Sequence, residues 1–273
     1  MAARDLFNLP NMSQINTAVY PRTSRVDALE VKVFENQTEL SIFTAAHVNE
    51  YLSGVIQRQG SARAILATGN SQIQFLDRLT KLGGVDWSKV TLFHMDEYLG
   101  IDGDHKASFR RYMRERVESK LKPAAFHYIE GDAPLPLDEC ARYSALLEEK
   151  PIDLCCLGVG ENGHLAFNDP PVARFDDTTW IKLVELDDAC KMQQVREGHF
   201  ASLETVPPYA YTLTLKALCA AKKMICLCPE TRKAKAVKAA LQGPISTECP
   251  ASFLRRQAHA MLLLDTDSAA LLG

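Results

Sequence analysis

Residues 152–170, IDLCCLGVGENGHLAFNDP, join a short apolar run to a glycine-rich polar loop. The run at 152–157 has the length and apolar character of a strand that is buried on both faces. Such strands are typical of parallel sheets, which helices cover on both sides. The glycines that follow, Gly158, Gly160 and Gly163, indicate close backbone approach or positive φ angles. The segment therefore predicts an α/β fold with a functional turn after this strand.

The rest of the chain repeats the alternation of short apolar runs and longer amphipathic stretches. Apolar runs predict strands at 29–34, 62–68, 90–95, 152–157, 180–186, 223–228 and 261–264. Helical spacing predicts helices at 37–59, 71–82, 107–121, 137–149 and 231–241. This alternation favours a mainly parallel sheet covered by helices. No linker or repeat divides it, so we expect an N-terminal extension at 1–25 and a single domain at 26–273.

Composition narrows the class of protein. The 273 residues are 47% hydrophobic, and the formal net charge is −3, without the basic excess of a general nucleic-acid binder. No apolar run reaches the roughly 18 residues that span a bilayer. The eight cysteines lack Cys-x-x-Cys spacing, and several lie in apolar runs, which favours buried free thiols. We expect a cytoplasmic protein that binds neither nucleic acid nor membrane.

A first polar segment, Thr68-Gly69-Asn70-Ser71-Gln72, lies between a predicted strand and a predicted helix. The free N–H groups and the dipole of such a helix start favour an anion, such as a phosphate. The alternative is that Asn70 or Ser71 only caps the helix.

A second polar segment, residues 93–100 (FHMDEYLG), places Asp96 and Glu97 directly after a buried strand. A carboxyl group that is partly removed from water gains proton affinity and can act as a general base. The alternative is a solvated loop that turns at Gly100. Because ligands bind beyond the carboxyl ends of strands in such sheets, we expect this segment to lie near residues 68–72.

The third polar segment is the glycine-rich loop at 158–170, in which His164 lies between Asn162 and Asp169. A histidine held by a carboxylate can act as an acid or base near neutral pH. The loop also fits the loose dinucleotide pattern G-x-G-x-x-G. The mid-chain position of the loop and the Asn-Asp-Pro that soon follows disfavour dinucleotide binding. The other alternative is that His164 has a purely structural role.

A cationic candidate is Lys233, near the start of the helix at 231–241, although it could also lie on a solvated face.

Together these segments resemble the glucosamine-6-phosphate deaminase family, which shares a superfamily with the 6-phosphogluconolactonases. The resemblance runs from about residue 29 to the C-terminus and is strongest at 93–100 and 158–170, with His105 and Ser108 fitting as well. It implies a Rossmann-like three-layer α/β/α sandwich. It also implies an aldose–ketose isomerase and deaminase that needs no metal or organic cofactor. The partner it implies is a small sugar phosphate, and a homo-oligomer is compatible with it.

The resemblance further implies a role for each motif residue. Asp96 would move a proton between C2 and C1 of the sugar, and His164 would act in ring opening, oriented by Asn162 and Asp169. Typical members have Asp in place of Asn162 and Glu in place of Asp169. The remaining implied contacts to substrate or phosphate are Thr68, Gly69, Asn70, Ser71, Gln72, Glu97, Gly163 and Lys233.

Some choices stay open at this point. Lys191 and Arg196 both lie near the region expected to supply a phosphate-binding arginine, and the sequence does not choose between them. A 6-phosphogluconolactonase-type hydrolase is one alternative function, although its typical Asp-Glu-Arg differs from Asp96-Glu97-Tyr98. A non-catalytic sugar-phosphate sensor is another.

Overall fold

Two sheets contain all the strands of residues 21–273, which are the residues that this computed structural model describes. In chain order the strands are β1 (Arg22–Val26), β2 (Leu29–Phe34), β3 (Ala62–Leu66), β4 (Val90–His94), β5 (Asp96–Tyr98), β6 (Ala125–His127), β7 (Leu154–Gly158), β8 (Ile181–Glu185), β9 (Tyr209–Leu213), β10 (Lys223–Cys228) and β11 (Ala260–Asp265). The α-helices are α1 (Gln37–Gln59), α2 (Ile73–Leu82), α3 (Phe109–Met113), α4 (Ser119–Leu121), α5 (Pro136–Glu148), α6 (Asp188–Arg196), α7 (Leu215–Cys219) and α8 (Ala234–Gln242).

The larger sheet has the strand order β1-β2-β11-β10-β7-β3-β4-β6. Every neighbouring pair is parallel except the hairpin of β1 and β2 at one edge. Buried apolar side chains form a large cluster on each side of this sheet, so both faces are covered. The α/β fold with a mainly parallel sheet between helical layers is therefore confirmed.

The first helix illustrates how local sequence sets an element. The side chain of Asn36 accepts a hydrogen bond from the backbone N–H of Glu39 at 3.0 Å, which caps the start of α1. Gly60 ends the helix in the left-handed conformation with φ 83°, which glycine adopts without strain. Apolar residues at helical spacing, among them Leu40, Val48 and Leu52, are buried against the sheet. The predicted helix therefore has the predicted bounds.

The other predicted strands and helices are also confirmed, most of them within three residues of their predicted ends. The strand predicted at 180–186 is β8, but it lies outside the parallel sheet. It belongs to a smaller antiparallel sheet with the order β5-β9-β8. The sequence reading missed β1, β5, β6, β9, α6 and α7. The helix predicted at 107–121 begins at Phe109 and contains a π-helical turn, Arg114–Glu118.

At the amino end, β1 includes residues 22–25 of the segment assigned to an N-terminal extension. Residues 1–20 lie outside the described residues, and the division into 1–25 and 26–273 stays a prediction. Within residues 21–273, no helix has both the length and the apolar character that a membrane span requires.

Candidate active site

A cleft opens at the carboxyl ends of three neighbouring strands of the large sheet, β7, β3 and β4. The three polar segments that the sequence placed after strands all reach it. In parallel sheets this edge is where ligands bind. The cleft is lined by Thr68, Gly69, Asn70, Ser71, Asp96, Phe109, Gly160, His164, Phe167, Gln193, Gln194, Glu197, His199, Arg232 and Lys233, among others.

Asp96 faces this cleft from the first position of β5 and is only 7% exposed. Its Oδ1 atom is buried and has no hydrogen-bond partner among the described residues. Burial, and next the adjacent carboxyl of Glu97, raise the pKa of Asp96 well above its ordinary value. An unpaired carboxyl group with raised proton affinity is suited to take up and release a proton on a bound ligand.

Glu97 points away from the cleft, because successive side chains of a strand lie on opposite sides. Its carboxylate is fully buried and accepts hydrogen bonds from Ser108 Oγ at 2.8 Å and from the backbone N–H groups of Phe109 and Arg110 at 3.1 and 2.9 Å. Burial raises the pKa of Glu97 to about 7, against these hydrogen bonds. Glu97 thus anchors the start of α3 from outside the cleft, and the substrate contact expected for it stays a prediction.

His164 lies against the backbone of the glycine-rich loop. A Cβ atom at Gly160 would come within 2.1 Å of the imidazole Cε1 atom, so the ring occupies the space that any other residue would fill. The Nδ1 atom of His164 is 2.8 Å from Oδ1 of Asp169. Because Asp169 engages Nδ1, the Nε2 atom is the ring nitrogen left to meet a ligand in the cleft.

Asn162 and Asp169 lie behind this histidine rather than in the cleft. Asn162 Nδ2 donates to Asp169 Oδ1 at 2.8 Å, and Asn162 Oδ1 accepts from the backbone N–H of His164 at 3.0 Å. Burial opposes ionisation of Asp169, but the pairing with His164 and hydrogen bonds from Asn162 and Cys190 hold its pKa below the usual range. The carboxylate is therefore positioned to orient the imidazole.

The side chains of His164, Asp169 and Cys190 bring ligand-type atoms within 4.8 Å of one another. Metal ligation by cysteine requires the thiolate. Burial and the neighbouring Asp169 raise the pKa of Cys190 well above its ordinary value, so this thiol stays protonated. The geometry fits a hydrogen-bonded group that fixes His164 better than it fits a metal centre.

The loop after β3 forms the next wall of the cleft. Gly69 has φ 98°, and the following residues make a 3₁₀ turn, Asn70–Gln72, that leads directly into α2. Thr68, Gly69, Asn70 and Ser71 line the cleft, as the sequence predicted. Gln72 does not, because its fully buried side chain turns inward and donates from Nε2 to Ser71 Oγ at 3.1 Å.

Lys233 faces the cleft from the 3₁₀ turn Thr231–Lys233, and it is only 3% exposed. Burial is the main cause that lowers the pKa of Lys233. Its ammonium group has no hydrogen bond or ion pair with any of residues 21–273. An anionic ligand in the cleft would supply a partner for this ammonium group.

Gly163, the last glycine of the loop, does not reach the cleft. It has φ 88°, and a Cβ atom there would come within 2.6 Å of Cys249 Sγ. Its carbonyl oxygen accepts a hydrogen bond from Ala251 N at 2.8 Å. Gly163 thus joins the loop to residues 249–251 by packing, and the substrate contact expected for it stays a prediction.

The arginine in the cleft is Arg232, which the sequence reading missed. Neither of the two basic residues left open lines the cleft: Lys191 pairs with Asp188 at 3.6 Å, and Arg196 pairs with Glu161 at 2.6 Å. The sequence feature that could have revealed Arg232 is its position directly before Lys233, which was already a candidate. Neighbouring residues point in different directions on an α-helix, but both of these contact the cleft from a 3₁₀ turn.

Known proteins match this chain in sequence and in fold. Residues 35–263 match the family model described as glucosamine-6-phosphate isomerases/6-phosphogluconolactonase. The glucosamine-6-phosphate deaminase of Exiguobacterium sibiricum is 36% identical over 209 residues, which cover 76% of this chain and 80% of the relative. The structure of a monomeric glucosamine-6-phosphate deaminase superposes with a TM-score of 0.82 at 27% identity, covering 88% of this chain and 99% of that one. The 6-phosphogluconolactonase of Trypanosoma brucei shares the fold, with a TM-score of 0.73 at 18% identity and coverage of 92% and 100%.

Proposed function

The chain belongs to the family of glucosamine-6-phosphate isomerases and 6-phosphogluconolactonases, and we propose that it is an amino-sugar-phosphate deaminase. The reaction converts glucosamine 6-phosphate, or a related hexosamine 6-phosphate, to the matching ketose phosphate and ammonia. Relatives named for this activity are 30–36% identical to the chain. The protein is an enzyme, and its substrate is a sugar phosphate.

One observation carries the proposal: two buried ionisable side chains of opposite type face the same cleft. Asp96 has the unpartnered Oδ1 atom, and Lys233 has an ammonium group without an ion pair among residues 21–273. Groups of this kind are rare in folded proteins unless a ligand completes them. A sugar that carries a phosphate at one end and a proton to be moved at the other supplies both partners.

Ring opening is the first step of the proposed mechanism. The ring oxygen has to gain a proton, and the C1 hydroxyl has to lose one, as the C1–O bond breaks to give the open-chain aldehyde. His164 presents Nε2 to the cleft while Asp169 holds Nδ1 at 2.8 Å, so the imidazole can pass a proton between these oxygens. Asn162 supports Asp169 from behind.

Proton transfer from C2 to C1 is the second step. A hydrogen on the carbon next to an aldehyde is acidic enough for a positioned carboxylate to remove it. Asp96 takes the proton from C2 and returns it to C1, while the C1 oxygen gains a proton and the amine nitrogen loses one, which leaves a hydroxyl at C1 and an imine at C2. Water adds to that imine and ammonia leaves, so the ketose phosphate forms with the consumption of one water molecule.

Phosphate binding falls to the loop at Thr68–Ser71 and to Lys233. The loop begins a 3₁₀ turn that continues into α2, and the N–H groups at such a start favour an anion. Lys233 faces the same cleft and supplies the balancing positive charge.

The test is ammonia release from glucosamine 6-phosphate by the purified protein, followed together with the formation of fructose 6-phosphate. Asp96→Asn serves as the inactive control. Hydrolysis of 6-phosphogluconolactone by the same preparation is the competing measurement. Faster lactone hydrolysis than deamination, or no turnover of any hexosamine 6-phosphate, would overturn the proposal.

A further inference from the structure

Arg232 stands where three segments of the cleft meet. Its Nε atom is 2.6 Å from Glu230 Oε2, and its Nη1 atom is 2.6 Å from Glu197 Oε1 and 3.1 Å from Glu161 Oε1. Glu161 follows β7, Glu197 follows α6, and Glu230 follows β10. A single guanidinium thus holds three carboxylates at the edge of a site that has to admit an anion.

The two sides of this guanidinium differ in how firmly they are held. Glu230 has φ 84°, a conformation that non-glycine residues rarely adopt, and its backbone N–H donates to both carboxylate oxygens of Asp265 at 3.2 Å. Such a strained residue persists only where its surroundings fix it. Since Glu230 is also only two residues from Arg232, it is the permanent partner on the Nε side.

The Nη1 side is bound by residues from other segments, and Glu197 is the partner that reaches into the cleft. Its carboxylate also accepts from Gln193 Nε2 at 3.0 Å and lies 3.5 Å from His199 Nε2. Burial opposes its ionisation, but the contacts with His199 and Arg232 lower its pKa to about 2. Glu197 is therefore a permanent negative charge beside the unpaired ammonium of Lys233.

The charges of the side chains around Arg232 bear on whether a phosphate can reach it. Arg196, Arg232 and Lys233 contribute three positive charges, and Glu161, Glu197 and Glu230 contribute three negative ones, so the side chains already balance one another. A phosphate monoester brings about −1.5 to −2 more at neutral pH. Like charges confined to a site of low polarity repel strongly, so a phosphate that contacts Nη1 of Arg232 competes with the carboxylates of Glu161 and Glu197 that already bind this atom.

We propose that Glu197 is a built-in competitor for the phosphate of the substrate. It occupies Nη1 of Arg232 while the cleft is empty, and a phosphate oxygen replaces it when the sugar phosphate binds. Arg232 and Lys233 then hold the phosphate together. The exchange makes Glu197 a specificity-determining residue, since only a ligand with more charge than a carboxylate displaces it. The inference rests on the proposed function, because it assigns the phosphate to this end of the cleft.

Glu197→Gln is the primary test, with inorganic phosphate, fructose 6-phosphate and unphosphorylated fructose as probes in titration calorimetry. We expect both phosphates to bind roughly three- to tenfold more tightly, as loss of one nearby charge allows, and fructose to be unaffected. Glu197→Asp, which is too short to keep the contact with Nη1, should shift affinity in the same direction. Glu50→Gln, an equal change of charge on an exposed face of α1, is the matched control.

The Arg232→Gln variant distinguishes competition for Arg232 from a general effect of the charge of Glu197 on phosphate binding. If Glu197 acts by occupying Arg232, adding Glu197→Gln to Arg232→Gln should change phosphate affinity less than twofold. An undiminished gain in that background would overturn the proposal, as would unchanged or weaker phosphate binding in Glu197→Gln alone. Melting curves establish that each variant folds.

The binding assay also keeps this inference separate from the proposed function. A protein that binds phosphate more tightly after Glu197→Gln but never releases ammonia would contradict the proposed reaction and still support Glu197 as a competitor for phosphate. A protein that releases ammonia but shows no change of phosphate affinity in that variant would contradict only the role assigned to Glu197.

Discussion

Asp96 is the residue at which function and stability oppose each other most directly. Its carboxyl group is buried beside another carboxyl group, and its Oδ1 atom has no partner among the described residues. Keeping such a group costs folding free energy, and proteins tolerate that cost where activity requires it. Removing it should therefore have opposite effects on the two properties.

We expect Asp96→Asn to reduce deaminase turnover by about 10²- to 10⁴-fold, the usual contribution of a general base. Since the folded-state pKa of Asp96 is raised, the folded protein binds this proton more tightly than the unfolded chain. Stability is then lost as pH rises from the unfolded pKa through the folded one. The variant should therefore melt at a higher temperature than the parent near neutral pH, with the difference vanishing in acid. Turnover assays and melting curves across pH measure both effects, and a variant that loses activity and stability together would contradict the expectation.

Gly160 sets the position of His164, the acid–base group of the proposed mechanism. A methyl group at this position would overlap the imidazole of His164, so we expect Gly160→Ala to displace the ring from Asp169. Turnover should fall by about 10²-fold or more, because displacements near 1 Å have such effects.

Gly54 provides the control for that substitution. It lies inside α1, where an added Cβ meets only the flexible end of Arg58. Gly54→Ala should leave turnover unchanged and stabilise the protein by about 0.5–1 kcal/mol. Turnover and urea unfolding of both variants are the measurements. Full activity in Gly160→Ala would show that the ring position is not set by this glycine.

For single residues, the sequence predicted which residue types the site contains better than it predicted where their side chains point. Asp96 and Glu97 were both expected at the substrate, but strand alternation turns only one of them to the cleft. Arg232 was overlooked because its role depends on a 3₁₀ turn that brings it beside Lys233. Such directions follow from backbone conformation, which a motif alone does not specify.

Among the elements, those with long periodic patterns were predicted well. The bounds of α1 and β10 match the prediction, since α1 has a clear cap and β10 an uninterrupted apolar run. The three-residue strands β5 and β6 are too short to show a period. The smaller sheet was missed because β5, β8 and β9 pair across long separations in the chain.

The helical stretch that begins with α3 depends on Glu97. Both carboxylate oxygens accept two hydrogen bonds each, from Tyr98 N, Ser108 Oγ, Phe109 N and Arg110 N. Glu97→Gln places an NH₂ group against two of these donors. We expect a loss of about 1–3 kcal/mol in the free energy of unfolding, as for other buried groups left without partners.

Urea unfolding measures this loss, and Glu115→Gln is its control. Glu115 lies further along the same helical stretch and forms only an exposed pair with Arg111 at 2.8 Å. Exposed pairs of this kind contribute about 0.5 kcal/mol or less. Equal effects of the two substitutions would show that Glu97 does not anchor α3.

On the scale of the whole molecule, the cleft joins parts of the chain that lie far apart in sequence. The loop after β3, residue Asp96, the loop after β7 and the turn before α8 meet only because their strands are neighbours or nearly so in the sheets. A ligand that contacts all of them stabilises the folded state by mass action. Phosphate-bearing ligands should therefore raise the melting temperature, and Lys233 should control that response.

Lys233→Met tests this coupling. Burial lowers the folded-state pKa of Lys233, so the folded protein binds this proton less tightly than the unfolded chain does. The resulting cost is fully present below the folded pKa and disappears above the unfolded pKa, which means that it applies at neutral pH. The variant should therefore melt at a higher temperature than the parent without ligand. It should also lose most of the stabilisation of about 2.7 kcal/mol that fructose 6-phosphate gives the parent at a concentration of 100 Kd. Lys235→Met, on the exposed face two residues away, should keep the full response. A Lys233→Met protein that fructose 6-phosphate still stabilises as strongly as the parent would place the phosphate elsewhere.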